Sequence, residues 1–193
     1  EIPAGKFPFK TKEPENFQCE IVETGAGVAR RKRLAMKGPW SRLDLDVGTN
    51  NHRAILVTDN EYLIDIDRRI YAEVPGQPSN AAGRFSDLTR ELLLASPRTD
   101  LEEIGREGSI IRFKASTDNS ERSEVVIHYD TAIELPVKQE FFSIGDGQRT
   151  LTFSIEIVNF SLEPEPGLFE LPAGFRKVGY DEAASRPGPR REP

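Results

Sequence analysis

The chain has 193 residues, a formal net charge of −6 and 37% hydrophobic residues, which is typical of a globular protein long enough to bury one core. This acidic balance argues against a nucleic-acid-binding protein, because such proteins normally carry a basic excess. The single cysteine, Cys19, excludes an intrachain disulfide and any zinc site built on several thiolates. The sequence has no run of about 18 apolar residues that would cross a bilayer as a helix.

Residues 1–15 contain three prolines and are expected to form an extended N-terminal arm. Alternation of apolar and polar residues then predicts strands, at residues 17–23, 28–37, 41–47, 53–58, 61–66 and 69–74. The links between them are short and rich in turn residues, as in Gly25-Ala26-Gly27, so strands adjacent in sequence should pair in a meander. Cys19 falls on the apolar side of its strand, which predicts a buried structural thiol.

A helix is predicted at residues 85–95, because Ser86 can cap it and its apolar residues repeat on one stripe. A second helical turn is predicted at residues 100–104, before Gly105. The apolar stripe of the first helix is wide for its length. We therefore expect it to pack against the concave face of the sheet.

Strands are predicted again at residues 109–116, 123–129, 136–144 and 149–158, and Gly145-Asp146-Gly147 should join the last two as a hairpin. Residues 168–172 are expected to pack back on the body of the protein, and residues 179–193 to form a flexible tail. The sequence thus predicts a mainly β (α+β) fold with one domain at residues 16–178. Its core would be a curved antiparallel sheet, or half-open barrel, of about ten strands, with one or two short helices on the concave face.

Several charged residues are candidates for binding sites. The basic run Arg30–Arg33 divides between the two faces of a strand, which favours a solvated strand that resists edge aggregation; an electropositive spot for an anionic headgroup or an acidic partner is the alternative. Asp44 with Asp46, and Asp65 with Asp67, form carboxylate pairs that could bind a hard cation. Alternation with leucine and isoleucine instead predicts that they face solvent or a cross-strand arginine.

The two histidines, His52 and His128, are the only candidates for imidazole catalysis. No serine lies in a G-x-S-x-G sequence, and the spacing of the histidines does not match a hydrolytic triad or a metal site. We therefore predict that the protein is not an enzyme and has no catalytic residue, metal site or cofactor. An enzyme would need a polar cluster around one of these histidines inside a cleft.

Three segments resemble those of exported bacterial proteins with the lipoprotein-carrier (LolA/LolB-like) fold: Glu61–Tyr71, Glu134–Glu140 and Leu168–Val178. The order of elements over residues 16–178 is also similar. The resemblance implies an incomplete antiparallel barrel with helices in its mouth. It further implies location in the periplasm or cell envelope, with a signal peptide expected to be missing from this sequence.

The resemblance implies binding of acyl chains or other apolar ligands, or sensing of mislocalised lipoproteins. The leading hypothesis is a non-enzymatic exported protein that holds an acyl chain, lipid or lipoprotein between the sheet and the helix. The predicted lining residues are Trp40, Leu88, Leu92, Leu93, Phe141 and Phe153. The alternative is an envelope interaction or sensor module without a ligand, which pairs with a protein partner through its polar face or a sheet edge.

Overall fold

The computed structural model describes Phe9 and residues 13–76, 100–116 and 123–185, and these residues form a mainly β fold. They contain a 3₁₀ turn at Pro166–Phe169 and a short helix, α1, at Tyr180–Ala184. The strands are β1 (Asn16–Gly25), β2 (Val28–Lys37), β3 (Trp40–Leu45), β4 (Arg53–Val57), β5 (Glu61–Asp65), β6 (Ile70–Glu73), β7 (Asp100–Glu107), β8 (Ile110–Ser116), β9 (Ser123–Asp130), β10 (Leu135–Gly145), β11 (Gln148–Ser161) and β12 (Arg176–Lys177).

The strands belong to one sheet, in the order β12-β6-β5-β4-β3-β2-β1-β11-β10-β9-β8-β7. Strands β2 to β6 and strands β7 to β11 pair antiparallel with their neighbours, whereas β12 runs parallel to β6. Within the described residues, the terminal strands β12 and β7 do not pair with each other, so the sheet is open. The mainly β fold class and the meander are therefore confirmed.

Two predicted hairpin turns have the backbone conformation that their sequences require. Ala26 and Gly27 have φ values of 49° and 76°, and Asp146 and Gly147 have values of 50° and 73°. Positive φ at both central residues matches the right-handed twist of the flanking strands. These turns therefore join β1 to β2 and β10 to β11 directly.

The helical turn predicted at residues 100–104 is wrong, because strand β7 occupies Asp100–Glu107 and pairs with β8. A helix of five residues has too few internal hydrogen bonds to be stable alone, whereas the ladder with β8 satisfies the backbone of β7. The helix predicted at residues 85–95 lies outside the described residues.

The chain divides into two compact units. The first contains strands β7 to β10, β11 as far as Phe160, and the β1–β2 hairpin between Glu20 and Arg30. Its core is a cluster of buried side chains from β8 and β9 together with Phe9, whose ring lies 5.5 Å from Phe113 and 5.4 Å from Tyr129. Phe9 is thus a core residue of this unit. The sequence predicts one domain at residues 16–178 and does not indicate this division.

The second unit contains strands β3 to β6, β12, α1 and the remaining ends of β1 and β2. The C-terminal segment covers one face of its strands: Leu168 and Phe169 are buried against Ala35. Leu171 and Phe175 pack against a second cluster on the same strands, formed by Ala54, Leu56 and Ile64. Packing of residues 168–172 on the body of the protein is therefore observed, as expected.

Helix α1 lies at the start of the segment for which the composition predicts a flexible tail. Its Ala183 side chain is fully buried, and its last carbonyls accept hydrogen bonds from two arginines. Arg53 donates to the carbonyl of Ala184, and Arg68 donates to the carbonyls of Glu182 and Ser185. These contacts hold the helix in place. Residues 186–193 lie outside the described part of the chain.

The sequence predicts that the two carboxylate pairs face solvent or a cross-strand arginine. Asp67 is exposed, whereas Asp44 and Asp65 are buried, so solvent is wrong for these two. Register places Asp44 beside Ala54 on the face that the C-terminal segment covers, and Asp65 beside Arg53 on the opposite face. The alternation is real, but this part of the sheet buries residues on both faces. The predicted cross-strand arginine is present, since Arg53 Nη2 lies 3.7 Å from the Asp65 carboxylate.

We expect Asp65→Asn to lower the free energy of unfolding by about 2 kcal/mol, because Arg53 and Arg68 would lose the charge that holds them. Urea denaturation at neutral pH measures this loss. Asp59→Asn, in the exposed β4–β5 turn, is the control and should change stability by less than about 0.5 kcal/mol. Equal stability of Asp65→Asn and the native chain would contradict the assigned role.

Candidate functional site

A row of apolar side chains crosses the first unit from β7 to β11. Cross-strand register places its members side by side on one face, since each is directly opposite the next. The members of this apolar row are Leu101, Ala115, Val125, Phe141 and Phe153. Ala115 is buried, whereas the four larger side chains are only half-buried. The row therefore presents apolar surface that this unit covers incompletely.

The apolar row lies next to a fully packed part of the core. The adjacent row across β8 to β11 is buried and consists of Phe113, Ile127, Gln139 and Ile155. At a strand spacing of about 4.8 Å, five neighbouring strands give the apolar row a length of about 19 Å. The row is thus a long, narrow apolar strip at the margin of the core.

The aromatic end of the row depends on a β-bulge and on a glycine. The register of β10 and β11 shifts between Phe141 and Phe142, where Thr152 is the extra residue and donates its hydroxyl to the Phe141 carbonyl. The rings of Phe141 and Phe153 lie 5.6 Å apart. A side chain on Gly25 would place its Cβ 2.9 Å from the Phe153 ring. Gly25 therefore provides the space that this ring occupies.

The structure brings together two of the six predicted lining residues, Phe141 and Phe153. Trp40 belongs to the second unit, where it is 36% exposed, its ring lies 6.5 Å from that of Phe169, and Lys37 Nζ lies 5.9 Å from the ring centre. The other predicted lining residues, Leu88, Leu92 and Leu93, lie outside the described residues. Whether these residues contact a ligand therefore stays a prediction.

Sequence reasoning missed three members of the apolar row, Leu101, Ala115 and Val125. The helical turn predicted at residues 100–104 includes Leu101 and therefore gives no indication that Leu101 lies on a strand. Val125 alternates with Ile127 and Tyr129, so the period of two could have identified it. Its place beside Phe141 depends on the register between β9 and β10, and the sequence of one strand does not reveal that register.

The opposite face of the same strands carries ion pairs. Glu124 on β9 binds Lys114 Nζ at 2.9 Å and Arg149 Nη2 at 2.6 Å. The Arg149 guanidinium also lies over the Phe142 ring, 3.3 Å from its centre. Burial raises the pKa of Glu124, but the hydrogen bonds and positive charges of Lys114 and Arg149 outweigh it, so the net pKa is below its ordinary value.

His128 and Glu140 form a second pair on this face. His128 Nε2 lies 2.9 Å from Glu140 Oε2, and Lys138 Nζ lies 3.4 Å from the other carboxylate oxygen. Burial raises the pKa of Glu140. The His128 hydrogen bond and the positive charges of Lys138 and His128 lower this pKa by more than burial raises it, so the net pKa is below its ordinary value. The pair links β9 to β10.

His52, in the second unit, also binds a carboxylate. Its Nε2 lies 3.0 Å from Asp44 Oδ1, and Arg42 binds both oxygens of the same carboxylate. Arg42 also donates to the Leu168 carbonyl at 3.3 Å. In this arrangement Asp44 orients a guanidinium that holds the C-terminal segment. Across the described ranges, no cluster of three or more histidine, cysteine, aspartate or glutamate side chains could hold a metal ion.

Cys19 is buried, as predicted from its position on the apolar side of its strand. None of the helices in the described part of the chain is long and apolar enough to cross a membrane.

Comparisons with known proteins show the fold. No protein-family model and no curated protein matches the chain. Among solved structures it is similar to MucB, with a TM-score of 0.52 and 13% identity over 86% of this chain and 60% of that one. It is also similar to the MucA/MucB complex of Pseudomonas aeruginosa, with a TM-score of 0.51 and 14% identity over 84% and 58% of the two chains.

A LolA superfamily protein from Nitrosomonas europaea matches with a TM-score of 0.32 and 12% identity, over 83% of this chain and 91% of that one. The chain spans about three fifths of the length of the MucB chains that it matches. At these identities the similarity concerns the fold alone. The fold that the chain shares with MucB is LolA-like, in agreement with the resemblance found in the sequence.

The lowered pKa values of Glu124 and Glu140 predict acid sensitivity. The pKa of each carboxylate is lower in the folded chain than its ordinary value of 4.5, which applies to the unfolded chain. Each carboxylate therefore stabilises the fold fully at pH values above 4.5, and this contribution is lost as the pH falls through the lower pKa of the folded chain. We expect Glu124→Gln and Glu140→Gln to be less stable than the native chain at pH 6 and to lose less stability between pH 6 and pH 3. Urea denaturation at both pH values measures this.

The control for this prediction is Glu156→Gln, which changes an exposed glutamate on β11. This variant should follow the native pH dependence. The same pH dependence in all four proteins would contradict the role of Glu124 and Glu140.

Proposed function

We propose that this protein is a non-enzymatic binding protein of the cell envelope that holds an apolar ligand against the apolar row. The observation that carries the proposal is the half-burial of Leu101, Val125, Phe141 and Phe153 beside a fully buried core row. Apolar side chains in such a position gain free energy when a ligand removes their remaining surface from water. The LolA-like fold supports the proposal, because the resemblance of the sequence to this family implies binding of acyl chains.

The shape of the row favours an extended ligand over a compact one. Its side chains lie in a single file about 19 Å long across five strands. A linear acyl chain, of a free lipid or of a lipoprotein, can contact every member of such a file. In the prediction from the sequence, the helix residues Leu88, Leu92 and Leu93 would cover such a ligand.

Envelope protein interaction is the second candidate function. MucB, whose fold this chain shares, has been solved in complex with MucA. A partner protein is therefore a reasonable alternative to a lipid. If the protein acts by binding a protein partner, the apolar row needs no ligand for activity. Export to the periplasm would still be expected.

We expect the purified chain to take up a fluorescent fatty acid, and the double variant Phe141→Ala/Phe153→Ala to bind it at least about tenfold more weakly. Each ring contributes about 1 kcal/mol when a ligand covers its remaining exposed surface, and two such losses exceed the roughly 1.4 kcal/mol of a tenfold change. Fluorescence titration measures the affinity, and native mass spectrometry detects any lipid that copurifies.

Leu162→Ala is the matched control, because Leu162 is a large apolar residue, 59% exposed and outside the row. It should bind the fatty acid as the native chain does. No uptake by the native chain, together with no copurified lipid, would rule out the apolar ligand and leave the protein-interaction function.

A further inference from the structure

Strand β7 is the last strand of the sheet, and one of its sides is paired with β8. Within the described ranges no strand pairs with its other side. An edge strand of this kind presents backbone N–H and C=O groups that a partner strand can bind. The side chains of residues 102–104, 106 and 107 are exposed, including Ile104 at 44%. The edge is therefore accessible over most of its length.

The exposed side chains of β7 give this edge a negative charge. The strand carries three exposed glutamates, Glu102, Glu103 and Glu107, and one exposed arginine, Arg106. Arg106 Nε lies 3.4 Å from Glu103 Oε1. Lys114 lies across from Glu102 on β8, but its Nζ binds Glu124 at 2.9 Å. Among the described residues, Glu102 and Glu107 form no ion pair. Arg112 on β8 extends its guanidinium over Gly105, and among the described residues it forms no ion pair with either glutamate. Within this part of the chain, Glu102 and Glu107 are therefore the unpaired carboxylates of the edge.

A second copy of this chain is a poor occupant of the β7 edge. Pairing β7 with itself would bring glutamates opposite glutamates, which is unfavourable. The other terminal strand, β12, has only two residues, and both are neutralised within the chain. Arg176 binds Glu182 at 3.0 Å, and Lys177 binds Glu73 at 3.3 Å. The charge pattern thus disfavours self-association and favours a basic partner.

We propose that the β7 edge binds an extended basic segment of a partner protein by strand addition. Main-chain hydrogen bonds to β7 provide affinity, and lysine or arginine opposite Glu102 and Glu107 provides specificity. Ile104 offers an apolar contact between these charges. This proposal deepens the second candidate function and does not depend on the apolar ligand.

Three ten-residue peptides test the proposal with the full chain. The first alternates lysine with valine and threonine, the second replaces each lysine by glutamate, and the third keeps the lysines but replaces two valines by proline. We expect the first to bind, and the other two to bind at least about tenfold more weakly, because one lacks charge complementarity and the other lacks backbone donors. Fluorescence anisotropy measures binding, and hydrogen exchange should slow in residues 101–107.

Glu102→Lys/Glu107→Lys should weaken binding of the basic peptide at least about tenfold and favour the acidic one. The control Glu156→Lys/Glu163→Lys makes the same change in net charge at two exposed glutamates outside β7, and should bind within about twofold of the native chain. Circular dichroism verifies that both variants fold. The apolar-row variant Phe141→Ala/Phe153→Ala should bind the peptide normally, which separates this test from that of the apolar ligand.

Equal binding of the proline-containing peptide would overturn the proposal, because the attraction would then be charge alone. Equal weakening by both lysine variants would overturn it as well, since the effect would come from net charge and not from the β7 edge. Sedimentation velocity provides the remaining test. If the native chain is a dimer and the variant Glu102→Lys/Glu107→Lys is a monomer, a second copy of the chain occupies the β7 edge. This result would overturn the proposal of a basic partner.

Discussion

Alternation of side chains across strands β8 to β11 is the constraint on which the candidate site depends. Because successive residues point to opposite faces, the registers that place Val125 beside Ala115 and Phe141 on one face also place Glu124 within reach of Lys114 and Arg149 on the other. One face can then carry apolar side chains while the other is held by ion pairs. A register shift of one residue on any of these strands would move its apolar residues to the charged face.

Buried carboxylates organise the second unit in a similar way. Asp44 orients Arg42, which holds the Leu168 carbonyl, and Asp65 lies beside the two arginines that hold the end of α1. In each case a buried acid is neutralised by a guanidinium whose other donors reach main-chain carbonyls. A guanidinium has five donors in a planar fork, so it can satisfy the acid and the C-terminal segment together.

The two proposed functions use different parts of the first unit. The apolar ligand would lie along the row from Leu101 to Phe153, whereas the basic strand would lie along the outer side of β7. Leu101 contributes its side chain to the row and its backbone to the edge. The fold shared with MucB is compatible with either function. The chemistry of each surface, and not the fold, therefore distinguishes a lipid from a protein partner.

The sequence by itself determined strands β1 to β6 and β8 to β11, the hairpin turns and the order of the meander, because these follow from local alternation and from residues that favour positive φ. It also predicted the burial of Cys19. Only the tertiary structure decided that Leu101 is on a strand and that Asp44 and Asp65 are buried. The physical reason is that burial of a side chain depends on which segments cover each face. That covering comes from residues far along the chain, which local patterns do not encode.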